Sequence, residues 1–136
     1  MSGIRLFVRD GDQELELVET ESEDDFHYFR DSIHAALEQG EFGSRFPLFM
    51  KRFEPNEWKP EELDHLNEEL KTIAEAFKKL PPKPLDSNWA SKLHRSGRRC
   101  SSLFEVYVDT EGKPLLGRLI TLCAVARNAS KPIAIE

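Results

Sequence analysis

From Pro60 to Lys79 the apolar residues Leu63, Leu66, Leu70, Ile73 and Phe77, continued by Leu80, recur at intervals of three and four, while Glu61, Glu62, Asp64, Glu68 and Glu69 take the other side. That period puts one apolar stripe along a helix and demands a surface to cover it. Trp58 and Pro60 introduce this helix, and P-P-K-P at 81–84 stops it.

The partner surface is expected from both ends of the chain. Ile4, Leu6 and Val8 alternate with Arg5, Phe7 and Arg9, the period of a half-buried strand, and D-G-D at 10–12 turns the chain toward a second strand over Glu14 to Val18. In S-L-F-E-V-Y-V-D, 102–109, the same reading predicts a strand. D-T-E-G then turns, Pro114 suits the first position of a helix, and that helix, with apolar residues wrapping from Leu115 to Ala126, should be largely buried. K-P-I-A-I closes as a strand, which makes the last third a β-α-β unit with a parallel pair if the strands are adjacent.

Between these ends, Ser22 reads as an N-cap with Asp25 closing a variant capping box. Phe26, Phe29, Ile33, Ala36 and Leu37 mark the helix face, and Gly40 ends it. A short helix is expected from Asp86 to His94 with Trp89 and Leu93 inward. The segment 40–53 is either a short strand or an irregular lining of the core, and Pro47 argues against a central strand. With 136 residues, 39% of them hydrophobic and 32% charged, the chain suits one domain. The expected fold is a single α+β domain over 1–136: a small mixed sheet, an N-terminal hairpin, a C-terminal β-α-β unit, and three to four helices packed on it.

Charge is unevenly distributed. The net charge is −6, yet residues 1–25 hold nine acids against Arg5 and Arg9, a second acidic run spans 54–75, and 92–99 is wholly basic through Lys92, Arg95, Arg98 and Arg99. In E-T-E-S-E-D-D-F, 19–26, three of five carboxylates favour the start of a helix by roughly 0.3–1 kcal/mol each, but Glu19 and Glu21 have no such reason. An acidic surface repels nucleic acid and suits a cationic protein. No apolar run reaches membrane length and no export signal opens the chain, so neither membrane nor secretion is expected, and the compartment is read as cytoplasmic. Cys100 and Cys123 are expected as free thiols.

Chemistry is sparse. The four histidines are scattered, with His27 and His34 able to share one helix face, so no metal and no cofactor are expected. Cys100 follows two arginines but has no base nearer in sequence than His94. Phosphate loops, dinucleotide fingerprints, nucleophile elbows and zinc-protease motifs are all missing, and no catalytic residue is assigned. Trp89 is placed in the core, while Trp58 stays open between core and exposed anchor.

The succession G-S-R-F-P at 43–47, E-W-K-P-E-E at 57–62, E-E-L-K-T-I-A-E-A-F ending in L-P-P at 68–82, Trp89, S-L-F-E-V-Y-V-D-T-E-G-K-P-L-L-G-R-L, L-C at 122–123 and K-P-I at 131–133 resembles the bacterial immunity protein 70 family. The resemblance covers nearly the whole chain. It implies a protein of polymorphic toxin systems, including contact-dependent inhibition, that binds and neutralises the toxic C-terminal domain of a cognate effector. It implies no catalytic residues, and Phe46, Pro47, Trp58, Leu80 and Trp89 match it as determinants of the fold. Under that role the candidate binding residues are Glu19, Glu21, Asp24, Glu54, Glu57, Trp58, Glu61, Glu62, Asp64 and Glu68, acting as a monomer or homodimer. Three other readings stand beside it: a small-molecule or nucleotide sensor built on the β-α-β unit near Arg98 and Arg99, an enzyme centred on Cys100, and an assembly subunit.

Overall fold

A computed structural model describes residues 3–84 and 86–136. Strand β1 (Arg5–Asp10) and strand β2 (Gln13–Glu19) form the expected hairpin, with Leu6 opposite Val18 and Phe7 opposite Leu17. Gly11 makes the turn with φ 63°. Leu6 and Val8 enter the core. Phe7 points to the other face, where the guanidinium carbons of Arg5 and Arg9 lie 5.2 and 4.6 Å from its ring centre.

Strand β3 (Asn56–Trp58) and strand β4 (Ile133–Ile135) complete a four-stranded sheet in the order β2-β1-β4-β3, antiparallel throughout. The α+β class is as expected. The mixed sheet and the β-α-β unit are not: residues 102–109 form no strand. Leu103–Glu105 is a 3₁₀ turn, and Val108 makes only an isolated bridge to Pro114. Burial explains the difference, because Leu103, Val106 and Tyr107 are inside while Phe104 and Glu105 are half-exposed. That is a spacing of three and four rather than two. Arg98 ends the turn by donating to the carbonyls of Glu105 at 2.9 Å and Val106 at 3.1 Å.

Helix α1 (Glu23–Leu37) starts as expected, with the Ser22 hydroxyl accepting from the Asp25 amide at 3.1 Å. Asp25 itself does not close the capping box. It is buried, accepts from Asn88 at 2.8 Å and pairs with Lys92 at 3.2 Å. Gly40 does not end α1 either: Glu38 is the C-cap, and its buried carboxylate accepts from the amides of Gly43, Arg45 and Phe46.

The segment left open by its sequence contains a one-turn helix, α2 (Pro47–Met50), which seats Phe49 and Met50 in the core. Pro47 fits its first turn because no amide is needed there. Glu69, expected on the solvent side of the long helix, is instead buried and accepts from the amides of Leu48 at 3.2 Å and Phe49 at 2.9 Å. At the other end of α2, Arg30 donates to the carbonyls of Phe49 and Arg52.

After a 3₁₀ turn at Pro60–Glu62, helix α3 (Leu63–Lys78) buries the anticipated stripe, and helix α4 (Ser87–Ser96) is capped by Asp86 and ended by left-handed Gly97, φ 67°. Helix α5 (Leu115–Ala129) buries Leu115, Leu116, Leu119, Leu122, Cys123 and Ala126 but leaves Thr121, Ala124 and Arg127 exposed. It is less enclosed than its composition suggested. Helices α3 and α5 cover the Leu6 face of the sheet. Tyr107 joins the layers, with ring centres 5.2 Å from Phe29 and 5.1 Å from Trp89.

Replacing Glu69 by alanine strips the buried Phe49 amide and the partly buried Leu48 amide of their acceptor, and the expected loss is about 2–4 kcal/mol of unfolding free energy. Glu68→Ala, on the exposed side of the same helix, should change it by less than about 0.5 kcal/mol. Urea denaturation of both variants checks this; equal effects would contradict the assignment.

Candidate partner-binding surface

Among the candidate acids, one group lies on α3 and its leading turn and another in the first turn of α1. On α3 and its leading turn, Glu61, Asp64, Glu68 and Glu75 lie on one exposed stripe, as their spacing of three, four and seven requires. On α1, Glu23 and Asp24 are exposed within the first turn. The loop between α2 and β3 joins the two regions. Its Glu54 accepts from His27 Nε2 at 3.1 Å, and its Arg52 grips Glu62 with two hydrogen bonds of 2.9 and 2.8 Å.

Much of the acidity is balanced locally. Glu19 pairs with Arg5 at 3.7 Å, Glu21 with Lys92, Asp64 with Arg127 at 2.9 Å, and Glu62 with Arg52. The basic loop contributes less than its composition implied, since Lys92 is the only one of its four cations in these pairs and Arg98 serves as a cap on carbonyl groups. Among the described residues, Asp24, Glu57, Glu61 and Glu68 make no ion pair. They are the uncompensated members of the candidate set; elsewhere among the described residues, exposed Asp12, Asp31, Glu41 and Glu136 make no ion pair either.

Trp58 is not an exposed anchor. It is 1% exposed, stacks on Phe49 with ring centres 6.1 Å apart, and donates from Nε1 to the Leu48 carbonyl at 2.8 Å. Tyr28 and Phe53 take that place, 39% and 44% exposed. Tyr28 lies with Asp24, His94 and Arg95 along an open groove of about 840 Å³ between α1 and α4. Phe53 stacks on Phe42 at 6.3 Å, next to the His27 ring at 6.2 Å. Tyr28 was legible in retrospect: with Phe26 and Phe29 inward, the residue between them faces out. Nothing in the local pattern marked Phe53.

The buried groups explain why this patch is firm. Arg30 is fully buried among the rings of Phe26, Phe49 and Phe53, its guanidinium carbon 4.6, 5.2 and 4.9 Å from their centres, and burial pulls its pKa down to about 10. It is still a cation at neutral pH. Desolvation raises Cys123 to about 11, which leaves that thiol inert. Cys100 is half-buried and its thiol is directed at the Glu105 carbonyl, 3.6 Å away. The sensor reading loses its premise, because it required the β-α-β crossover. Among the described residues no helix is long and apolar enough to cross a membrane.

A family model described as Immunity protein 70 matches residues 11–135. No curated protein and no solved structure matches the chain.

The Arg52–Glu62 pair predicts a pH dependence. Its hydrogen bonds hold the Glu62 carboxyl at about 2, below the ordinary 4.5. The unfolded chain therefore takes up this proton first, and the stabilisation is complete above about pH 4.5 and is lost as pH falls toward 2. The stability gap between wild type and Glu62→Gln should be constant near neutrality and narrow below pH 4.5. Urea midpoints across that range measure it; a gap that does not change would show that the charge of Glu62 contributes nothing.

Proposed function

The chain belongs to the immunity protein 70 family, and from that premise we propose that it binds and neutralises the toxin domain of a cognate bacterial effector of the polymorphic or contact-dependent type, in the cytoplasm of the cell that makes both. The family match carries this reading. The surface chemistry supplies the physical means.

Asp24, Glu57, Glu61 and Glu68 provide uncompensated negative potential, and Tyr28 and Phe53 provide apolar area that ion pairs alone lack. Charge of this kind speeds encounter with a positive surface, such as the substrate groove of a nuclease, while buried aromatic anchors set the dissociation rate. Glu19, Glu21, Glu54, Glu62 and Asp64 already have cationic or histidine partners, so they contribute less to the interface than sequence alone suggested. Trp58 acts only through the core. Neutralisation in this scheme is occlusion of the toxin's active groove, which calls for no catalytic group on this chain.

The test mixes the protein with the toxin domain encoded beside it, at low and high salt. A complex is expected whose association slows with salt and with Glu61→Lys or Glu68→Lys. Tyr28→Ala and Phe53→Ala should weaken it by about tenfold or more, mainly through faster dissociation. No complex at any ionic strength would refute the proposal, and full affinity in both aromatic variants would move the interface elsewhere.

A further inference from the structure

We propose that Glu23, His27 and Glu54 form a binding site for one divalent first-row transition-metal ion, with Zn²⁺ as the probe. In this group one ring nitrogen and two carboxylate oxygens all lie within 4.8 Å of one another. His27 Nε2 is 3.1 Å from Glu54 Oε2 and 3.9 Å from Glu23 Oε1. A tetrahedral ion with bonds of about 2.0–2.2 Å sets neighbouring ligand atoms about 3.3–3.6 Å apart. Small side-chain rotations bring all three onto such an ion.

The ligands come from two elements. Glu23 and His27 stand four residues apart on α1, the spacing that offers two ligands from one helix face, and Glu54 reaches them from the loop before β3. His34, the partner its spacing suggested for His27, is engaged instead with the Gly40 carbonyl at 2.9 Å.

A second observation points to a cation. Glu54 has a side chain only 16% exposed, and its Oε1 is buried and accepts no hydrogen bond. Holding one carboxylate out of water against another is unfavourable unless a proton or cation lies between them. Arg30 adds positive charge from the core side, but its Nε and Nη1 donate to no protein group and do not occupy the carboxylates. A dipositive ion balances both acids at once. Imidazole among the donors selects Zn²⁺, Cu²⁺, Ni²⁺ or Fe²⁺ over Ca²⁺ and Mg²⁺. His27 and Glu23 are 35% and 52% exposed, so a fourth position faces solvent and suits water. The ion would tie the loop that presents Phe53 to α1.

This inference concerns the free protein and is tested without the toxin. Calorimetric titration of the full chain with ZnCl₂ should give one ion per chain, and Zn²⁺ should raise Tm. Affinity should fall by about tenfold or more in His27→Ala and Glu54→Gln, and stay unchanged in His65→Ala, which removes the His65–Glu69 pair on α3. With Co²⁺, the visible absorption of wild type should vanish in His27→Ala. No binding by wild type, or binding that survives His27→Ala, overturns the proposal. If either buried-side variant fails to fold, the exposed Glu23→Gln carries the test, and unchanged affinity there overturns it equally.

Discussion

Residues 38–54 carry a run of backbone amides and carbonyls that no strand or long helix pairs, and three buried charged side chains satisfy them. Glu38 accepts from three amides of the loop, Glu69 accepts at the N-terminus of α2, and Arg30 donates at its C-terminus. A helix of one turn is well short of the length that sustains itself in water. Here the missing bonds are supplied from α1 and α3, and the charges that supply them are in turn dispersed over many donors or three aromatic rings. The core depends on this, because α2 positions Phe49 against Trp58 and fixes the indole through the Leu48 carbonyl.

The surface follows from the same arrangement. Once Arg30 holds the carbonyl of Arg52, the next side chains have little choice of direction. Arg52 meets Glu62, Phe53 lies over the buried guanidinium and beside Phe42, and Glu54 turns toward α1. The exposed aromatic patch, the local neutralisation of Glu62 and the grouping of Glu23, His27 and Glu54 are thus consequences of how one irregular segment is anchored. The net charge of −6 likewise overstates the field a partner meets, since Arg5, Arg52, Lys92 and Arg127 each absorb part of it. On the candidate surface, what is left sits on Asp24, Glu57, Glu61 and Glu68.

Where local period and tertiary burial agree, the chain reads correctly from its residues: the hairpin, α1 with its Ser22 cap, α3, α4 and β4 all stand where their patterns put them. The stretch 102–109 shows the limit. Five apolar or aromatic residues in eight fit a strand and a tight helical turn almost equally, and the choice falls to the turn because Leu103, Val106 and Tyr107 then share one buried side while Arg98 caps the carbonyls. The candidate surface divides in the same way. Its acidic runs were visible as charge, but the exchange of Trp58 for Phe53 and Tyr28 depended on which aromatic rings the core could hold.

Sequence by itself determined the α+β class, the capped starts of α1 and α4 and the family, because capping, periodicity and motif order are properties of near neighbours along the chain. Only the tertiary structure decided the antiparallel sheet order, the one-turn α2, the burial of Arg30, Glu38 and Glu69, and which acids remain unpaired. Each of those rests on a polar group finding its partner across the fold, where the free energy of a buried charge depends on donors and acceptors that no local pattern specifies.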